Sequence, residues 1–400
     1  MAHIETAPQD DASPVIVLML QGGGALGTYQ VGAYQALAEA GYLPDWVAGI
    51  SIGAITAALI VGNSPAERVD QLDAFFHEVS RPDGWGALLS GDFLRLFHLG
   101  SFTQALLFGQ PHFFTPHIIN PAFAPAGTPA ATSFYDTTPL RATLERLVDF
   151  DRINAQPVRL SLGVTHVTSG ALRFFDNTPP ARRRLPPAFI ATRLGPEHIL
   201  ASGALPPSFA ATRIDGELYW DGGCVSNTPL QAVVDDEPAG RVLVFAIDLW
   251  APRGPEPQTI DAVLWRQKQI QYASRTTNHI EAVAQQQNLR AALSQLAAQL
   301  PTATRAGLAG LPAQALDYHT QMDIVHLVYH SSPEEIAQSD AEFSRPSLAA
   351  RRAAGYAEMR QVLEQAPWRR AERAARVGPQ AGTVIHRVEG GQISSRAPIG

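Results

Sequence analysis

A short apolar segment followed at once by a tight turn constrains this chain more than any other feature. Residues 46–48, Trp-Val-Ala, are typical of a strand end, and residues 49–53 read Gly-Ile-Ser-Ile-Gly. Gly49 and Gly53 lack the Cβ atoms that would collide in a sharp strand-to-helix turn, so the hydroxyl of Ser51 would stand exposed at the edge of a sheet. The pattern predicts a nucleophilic serine, although a tight packing turn would have the same sequence.

A glycine-rich loop follows the first apolar run of the chain. Residues 15–20 are continuously apolar and rich in β-branched side chains, which is typical of a strand buried on both faces of a parallel sheet. Gly22, Gly23 and Gly24 come next, ahead of a helix-like stretch over residues 28–40. Consecutive glycines let backbone N–H groups turn towards negative charge at a helix N-terminus. This loop could therefore hold an oxyanion or a phosphate.

A nucleotide site is the alternative for this loop, because Gly22, Gly24 and Gly27 have the spacing of the dinucleotide fingerprint. A dinucleotide-binding unit needs an acidic residue at the end of the second strand to hold the ribose. Here the nearest acid, Asp45, precedes the second strand. Thr28 stands where a P-loop requires lysine. The sequence disfavours both kinds of nucleotide site.

An aspartate and two glycines follow an aromatic segment later in the chain. Residues 219–223 are Tyr-Trp-Asp-Gly-Gly, and residues 201–209 are Ala-Ser-Gly-Ala-Leu-Pro-Pro-Ser-Phe. By itself Asp221 has the features of an ordinary turn residue.

Together, these four blocks in this order resemble the patatin-like phospholipase family. The resemblance implies that Ser51 is the nucleophile and Asp221 its partner in a Ser-Asp dyad. It also implies that Gly22, Gly23 and Gly24 form the oxyanion-stabilising loop, and that the chemistry requires no metal or other cofactor. The region after residue 258 is similar to the domain of unknown function that often follows bacterial patatin-like domains.

The glycine loop departs from the pattern common in the family, which places a basic residue after the glycines. Here Ala25 and Leu26 occupy these positions, and Gln21 replaces a frequent acidic residue. A bacterial branch of the family has a similar loop. The loop therefore lacks a cation that could bind a phosphate or carboxylate of the substrate.

The catalytic base has alternatives to Asp221. A histidine usually activates a serine nucleophile, and His166 lies in a predicted strand over residues 158–167, where a lone histidine is more often structural. Asp215 is a second carboxylate, but residues 214–217 have the pattern of a hairpin turn. In a dyad, Asp221 would act first as base and then as acid, and partial desolvation would raise its pKa to suit both tasks.

Strand-like and helix-like segments alternate up to about residue 250, which predicts a three-layer α/β/α sandwich with a mainly parallel sheet. The residues that follow predict a mostly helical C-terminal extension. An irregular, aromatic-rich stretch interrupts this alternation and could cap an acyl-chain pocket. The expected divisions are a disordered N-terminus (1–14), a hydrolase domain (15–250) with an insertion (85–134), a C-terminal region with one strand joining the sheet (258–376) and a disordered tail (377–400).

Composition narrows the class of partner and the compartment. The 400 residues carry a net charge of −7, which does not favour nucleic-acid binding. The single cysteine cannot form an internal disulfide, which suits a reducing compartment. The first 14 residues lack the features of a signal peptide, and apolar runs are too short to span a bilayer. These features predict a cytoplasmic protein, with peripheral contact to a membrane or granule through the basic residues 368–376 as an open alternative.

The predicted activity is that of a carboxylic ester hydrolase forming an acyl intermediate on Ser51. The family resemblance and the aromatic insertion favour lipid substrates: phospholipid, lysophospholipid or neutral lipid. The missing loop cation keeps a short-chain esterase, a thioesterase or an intracellular polyester hydrolase of the polyhydroxyalkanoate type as the alternative. A non-catalytic lipid-binding scaffold is the third possibility. The sequence does not determine the oligomeric state.

Overall fold

A large sheet forms the centre of the protein in this computed structural model, which describes residues 13–81, 88–179, 185–236, 238, 240–301, 320–332, 335–369, 373 and 382–398. The strands of these residues are β1 (Val15–Leu20), β2 (Trp46–Gly49), β3 (Thr115–Pro116), β4 (Tyr135–Asp136), β5 (Arg159–His166), β6 (Leu172–Asp176), β7 (Phe189–Ala191), β8 (Thr212–Ile214), β9 (Glu217–Asp221), β10 (Arg241–Asp248), β11 (Gln321–Val328), β12 (Thr383–Glu389) and β13 (Gln392–Arg396).

Strand β1 lies in the middle of this sheet, as its continuous apolar sequence predicts. Among the described residues the sheet has 11 strands, in the order β13-β12-β11-β10-β1-β2-β5-β6-β7, with β9 pairing to β5 and β8 pairing to β9. The six neighbouring strands from β12 to β5 run parallel. Antiparallel pairs occur at the margins, where β13 joins β12 and where β6 and β9 join β5.

Helices cover both faces of the sheet. Those of the described residues are α1 (Thr28–Glu39), α2 (Ile52–Val61), α3 (Arg68–Glu78), α4 (Gly91–Phe108), α5 (Pro129–Thr132), α6 (Thr138–Leu147), α7 (Phe150–Ala155), α8 (Pro196–Ser202), α9 (Leu230–Asp235), α10 (Ile260–Gln299) and α11 (Arg345–Gln365).

Successive residues of β1 point to opposite layers. Leu18 and Leu20 pack in one core with α1, α2 and α11, while Val17 and Met19 pack in another with α9 and α10. The predicted three-layer sandwich is confirmed.

Strand pairing brings the two predicted catalytic blocks to one place. On one side of β5, Leu162 pairs with Gly49, the last residue of β2. Two residues further along β5, Val164 pairs with Asp221 at the end of β9. Because β6 occupies the other side of β5 over the same residues, β9 takes the position that β2 leaves when the chain turns away at Ser51. The register alone therefore places Asp221 beside the turn that holds Ser51.

The predicted insertion over residues 85–134 is only partly described, since residues 82–87 lie outside the described residues. It contains α4, the short strand β3 and the four-residue helix α5. Apolar side chains on α4 are unusually exposed: Phe93 is 75% and Phe108 is 70% accessible. The insertion therefore presents an apolar surface to solvent as well as packing against the rest of the chain.

The predicted tail at the C-terminal end differs from its prediction. Strand β11 is the described strand of residues 258–376 that joins the sheet, and β12 and β13 extend the sheet further, because β12 pairs with β11 and β13 pairs with β12 in the segment expected to be a disordered tail (377–400). Val384, Ile385 and Val388 are buried, and a Gly390-Gly391 turn with positive φ at both residues joins the two strands. A two-glycine turn is a hairpin signal, and here it outweighs the polar composition of the segment. Residues 1–12, 377–381 and 399–400 of the predicted disordered ends lie outside the described residues.

No helix among the described residues has both the length and the apolar character needed to cross a bilayer.

Candidate active site

Ser51 occupies a strained turn between β2 and α2. Its backbone has φ 58° and ψ −126°, a conformation that residues with a Cβ rarely adopt. A Cβ on Gly49 would lie 2.3 Å from the carbonyl oxygen of Gly53, and one on Gly53 would lie 2.2 Å from that of Leu20. Both glycines are therefore required by close approach of the backbone, for the reason that the sequence indicated.

A buried serine from the 201–209 block holds this turn in place. The N–H of Ser51 points at the carbonyl oxygen of Ser202 at 3.1 Å and at its Oγ at 3.2 Å. Ser202 Oγ donates in turn to the carbonyl oxygen of Gly163 on β5, at 2.7 Å. Ser202 belongs to the 201–209 block, but the sequence pattern indicated no role for it. In the structure, Ser202 connects the strained turn to the central sheet.

The glycine loop lies directly against Ser51, since a Cβ on Gly22 would be 3.0 Å from the Cβ of Ser51. Gly22 is fixed on both sides: its N–H donates to the carbonyl oxygen of Asn227 at 3.1 Å, and its carbonyl accepts at 2.8 Å from Asn227 Nδ2 and at 2.8 Å from Trp250 Nε1. The Gly22 N–H therefore already has an acceptor within the protein. Among the described residues, no protein acceptor engages the N–H groups of Gly23 and Gly24.

Gln21 anchors the base of the same loop. Its side chain is buried, where it donates to Thr228 Oγ1 at 3.0 Å and accepts from the N–H of Leu249 at 2.6 Å. An amide can donate and accept at once, whereas a carboxylate can only accept. The position requires one donor and one acceptor, which explains why glutamine fits it. Both hydrogen-bond partners of the Gln21 side chain are more than 200 residues away in the sequence.

Asp221 is almost completely buried, with 1% of its surface accessible. Burial raises the pKa of its carboxyl from 3.8 to about 6, and hydrogen bonding from the Ser51 hydroxyl and from the N–H of Gly223 opposes this rise. Oδ1 accepts from Gly223 at 2.7 Å, while Oδ2 has no aligned hydrogen-bond donor among the described residues. The Ser51 hydroxyl thus lies close enough to the carboxylate to oppose the rise in its pKa.

The two alternative groups for the base lie elsewhere. His166 bonds to Glu217 Oε2 at 3.0 Å and to Ser169 Oγ at 2.7 Å, and it does not line the cavity beside Ser51. Asp215 is exposed in the β8–β9 turn, with φ 50°. Among the described residues that line the cavity there is no histidine.

A cavity of ≈ 420 Å³ opens beside Ser51 and Asp221 and is lined by all three glycines of the loop. Most of its other walls are apolar, and they come from α4, from the segment after it and from the 200–209 region: Phe102, Leu106, Phe113, Phe114, Tyr135, Leu140, Leu200, Leu205 and Phe209. The C-terminal region contributes Lys268, Tyr272, Gln338, Asp340 and Phe343. A serine, a carboxylate and free backbone amides in an apolar cavity of this size can support acyl transfer.

Two family profiles match parts of this chain. The sequence profile of the family described as "Patatin-like phospholipase" matches residues 18–234, and that of a domain of unknown function described as "Patatin phospholipase" matches residues 270–375. No curated protein sequence matches the chain.

Two solved structures are similar at low sequence identity. VipD from Legionella pneumophila is 16% identical, with 90% of this chain and 67% of that chain covered and a TM-score of 0.37. Human GIVD cytosolic phospholipase A2 in complex with methyl gamma-linolenyl fluorophosphonate inhibitor and terbium chloride is 12% identical, with 58% of this chain and 40% of that chain covered and a TM-score of 0.28.

Proposed function

This chain belongs to the patatin-like phospholipase family, and from that premise we propose that it hydrolyses acyl esters of lipids through a covalent intermediate on Ser51. The observation that carries the proposal is the meeting of Ser51, in a strained turn, with the buried carboxylate of Asp221 at one apolar cavity. Strained backbone at such a turn supports a functional role, because it costs stability that packing alone does not require.

In the proposed reaction, Asp221 accepts the proton of Ser51 Oγ while Oγ attacks the carbonyl carbon of the ester. The N–H groups of Gly23 and Gly24 are the proposed donors to the oxyanion that develops. The intermediate collapses with cleavage of the bond to the alcohol, which leaves with the proton held by Asp221. Water then attacks the acyl-serine with Asp221 again as base, which releases the fatty acid and restores the Ser51 hydroxyl.

The environment of Asp221 suits both of its proposed tasks. A carboxyl with a pKa of about 6 is mostly ionised at neutral pH, so it can accept the serine proton. It is also a better base than an ordinary carboxylate, because its proton affinity is higher. The physical cause is burial, since desolvation disfavours the charged form.

The substrate class follows from the cavity walls and from their continuation to the surface. Helix α4 lines the cavity with Phe102 and Leu106 and exposes Phe93, Leu96 and Phe108 to solvent. A contiguous exposed apolar surface marks an interaction site for lipid or protein. We therefore propose that α4 touches a membrane or lipid granule and that the acyl chain enters along it.

A short-chain esterase or polyester hydrolase is the second candidate function. The observation that favours it is the position of Ala25 and Leu26, which are buried and leave the glycine loop itself without a cation. A lipid-binding scaffold without catalysis would require the dyad to be inert.

Hydrolysis of p-nitrophenyl esters from acetate to palmitate, by the wild type and by Ser51→Ala, separates these three functions. Serine-dependent hydrolysis that is fastest with long chains supports the lipid hydrolase, while a maximum at acetate or butyrate supports the short-chain enzyme. Absence of serine-dependent hydrolysis at every length, together with no labelling of Ser51 by a fluorophosphonate, would refute both enzymatic functions.

A further inference from the structure

Lys268 is the only lysine in the chain, which otherwise uses arginine for its cationic side chains. It lines the cavity that contains Ser51 and Asp221, and it is the only cationic side chain among the described residues that do so. About a third of its side chain is accessible (36%), and its Nζ lies 2.8 Å from Asp340 Oδ1. The cavity therefore contains one positive charge, supplied by the C-terminal region and not by the glycine loop.

One face of α10 places this charge beside the loop. Lys268, Tyr272 and Thr276 are spaced four residues apart and so share a face of the helix. Thr276 Oγ1 lies 3.3 Å from Gln21 Nε2, and the ring of Tyr272 packs against Trp250 with a centroid distance of 5.0 Å. Trp250 itself holds the carbonyl of Gly22. The helix face is thus fixed along the glycine loop from Thr276 to Lys268.

Asp340 supplies a second connection to the loop. It lies in the short helical turn Ser339–Ala341, whose backbone packs so closely that a Cβ on Gly24 would be 2.0 Å from the carbonyl oxygen of Asp340. The ammonium group of Lys268, bonded to the carboxylate of the same residue, is therefore held next to the loop that is proposed to bind the oxyanion. An ammonium group has three N–H donors, and Asp340 accepts its one hydrogen bond among the described residues.

We propose that Lys268 binds an anionic group, a phosphate or a carboxylate, on the alcohol portion of the ester substrate. This inference rests on the proposed function and specifies its substrate. The apolar walls from α4 and the 200–209 region suit the acyl chain, whereas the C-terminal region contributes Lys268, Gln338 and Asp340, which are polar. The anion therefore belongs to the leaving alcohol. Lys268 provides, from a different part of the chain, the cation that Ala25 and Leu26 leave out of the loop.

The competing explanation is a purely structural ion pair that ties α10 to the 339–341 turn. The two explanations differ in how a mutation affects substrates of different charge. Loss of a structural ion pair changes turnover of all esters in the same proportion. Loss of an anion-binding cation changes mainly the KM of anionic esters.

The experiment compares three esters of one fatty acid in neutral detergent micelles: a lysophosphatidic acid, a fatty-acyl ester of a hydroxy acid with a free carboxylate, and a monoacylglycerol. We expect Lys268→Met to lower kcat/KM for at least one anionic ester, relative to monoacylglycerol, by about tenfold, mainly through KM. The affected ester distinguishes phosphate from carboxylate. Lys268→Arg keeps the positive charge and should retain most of the preference for the anionic ester. Asp340→Asn, which frees the ammonium group from its ion pair, should not lower this preference.

Arg193→Met is the matched control, because it also removes one positive charge, from an exposed pair with Asp151 outside the cavity. It should leave the ratio of anionic to neutral hydrolysis unchanged. If Lys268→Met lowers hydrolysis of all three esters equally, and Asp340→Asn does the same, the ion pair is structural and the inference is wrong.

A binding measurement tests the inference separately from catalysis. Reductive methylation with ¹³C-formaldehyde labels Lys268 as the only lysine, beside the terminal amine. In the Ser51→Ala protein, its signal should shift with glycerol 3-phosphate or with a hydroxy acid but not with glycerol. Absence of a shift with either anion would overturn the inference even if the enzyme hydrolyses esters. A shift in a protein that hydrolyses none of the esters would support anion binding and refute the proposed hydrolase.

Discussion

Replacing Asp221 with asparagine should stabilise the folded protein at neutral pH and at the same time remove the proposed catalytic base. Asparagine has the same shape and keeps an oxygen that can accept the 2.7 Å hydrogen bond from the N–H of Gly223. Its second polar atom would replace Oδ2, which has no aligned donor among the described residues. The substitution therefore removes a buried charge and keeps the hydrogen bond from Gly223.

The magnitude follows from the pKa of the buried carboxyl. Burial raises it from 3.8 to about 6, and a difference of one in pKa corresponds to about 1.4 kcal/mol, so ionisation costs the folded state about 3 kcal/mol. Because the folded protein binds its proton more tightly than the unfolded chain does, the wild type loses this stability as the pH rises from about 4 to about 6. The asparagine side chain of the variant does not titrate, so the variant should not show this loss.

Equilibrium unfolding in urea from pH 4 to pH 8 measures the effect. The two proteins should have nearly equal free energies of unfolding near pH 4, and the variant should be more stable by about 3 kcal/mol above pH 6.5. Activity should fall by about a hundredfold or more. Asp215→Asn, at an exposed turn, is the control, and because it keeps Asp221 its stability should depend on pH as that of the wild type does. A stability difference that does not change with pH, or an Asp221→Asn variant that is less stable at pH 8, would refute the reasoning.

Substitutions at three further positions, Ser51, Gly24 and His166, test other parts of the structure. Ser51→Ala and Ser51→Gly should both abolish ester hydrolysis. Only the glycine variant should have a free energy of unfolding in urea that is higher by about 1–3 kcal/mol, because glycine adopts φ 58° without strain. Equal stability of the two variants would show that the turn stores no strain. Gly24→Ala should lower the melting temperature and turnover, because its Cβ would meet the carbonyl of Asp340 at 2.0 Å, whereas Gly100→Ala, in open space on α4, should be neutral or stabilising by about 1 kcal/mol. His166→Ala should change kcat/KM little, because its ring bonds to surface residues; a loss larger than that of Asp221→Asn would indicate a triad.

The turn that holds Ser51 was predictable because it is a local pattern with a steric reason. Gly49 and Gly53 flank Ser51 within five residues, and the close contacts they require arise within the same turn and the adjoining β1. The continuous apolar run of β1 likewise indicated a central parallel strand before any pairing was known. The location of Asp221 beside Ser51, by contrast, came from the family resemblance, and its physical basis is the pairing of β5 with β2 and then with β9.

The supporting residues were not predictable, because their partners are distant in sequence. Asn227 and Trp250 hold Gly22 from 205 and 228 residues away, and no local pattern marks either of them. Lys268 could have been noticed as the only lysine, but its position in the cavity depends on how α10 packs against the loop after β1. The hairpin of β12 and β13 escapes prediction for a different reason: its Gly-Gly turn lies in a segment whose polar composition resembles that of a tail.

The C-terminal strands also determine which fragments of this chain can exist on their own. Strand β10 is buried, and eight of its residues pair with β11 in register. A chain cut after residue 250 would present this long, apolar edge without a partner, which is a template for edge-to-edge association. We expect such a fragment to aggregate even though it contains Ser51, Asp221 and the glycine loop, so the boundary suggested by the family profiles is not a boundary of folding.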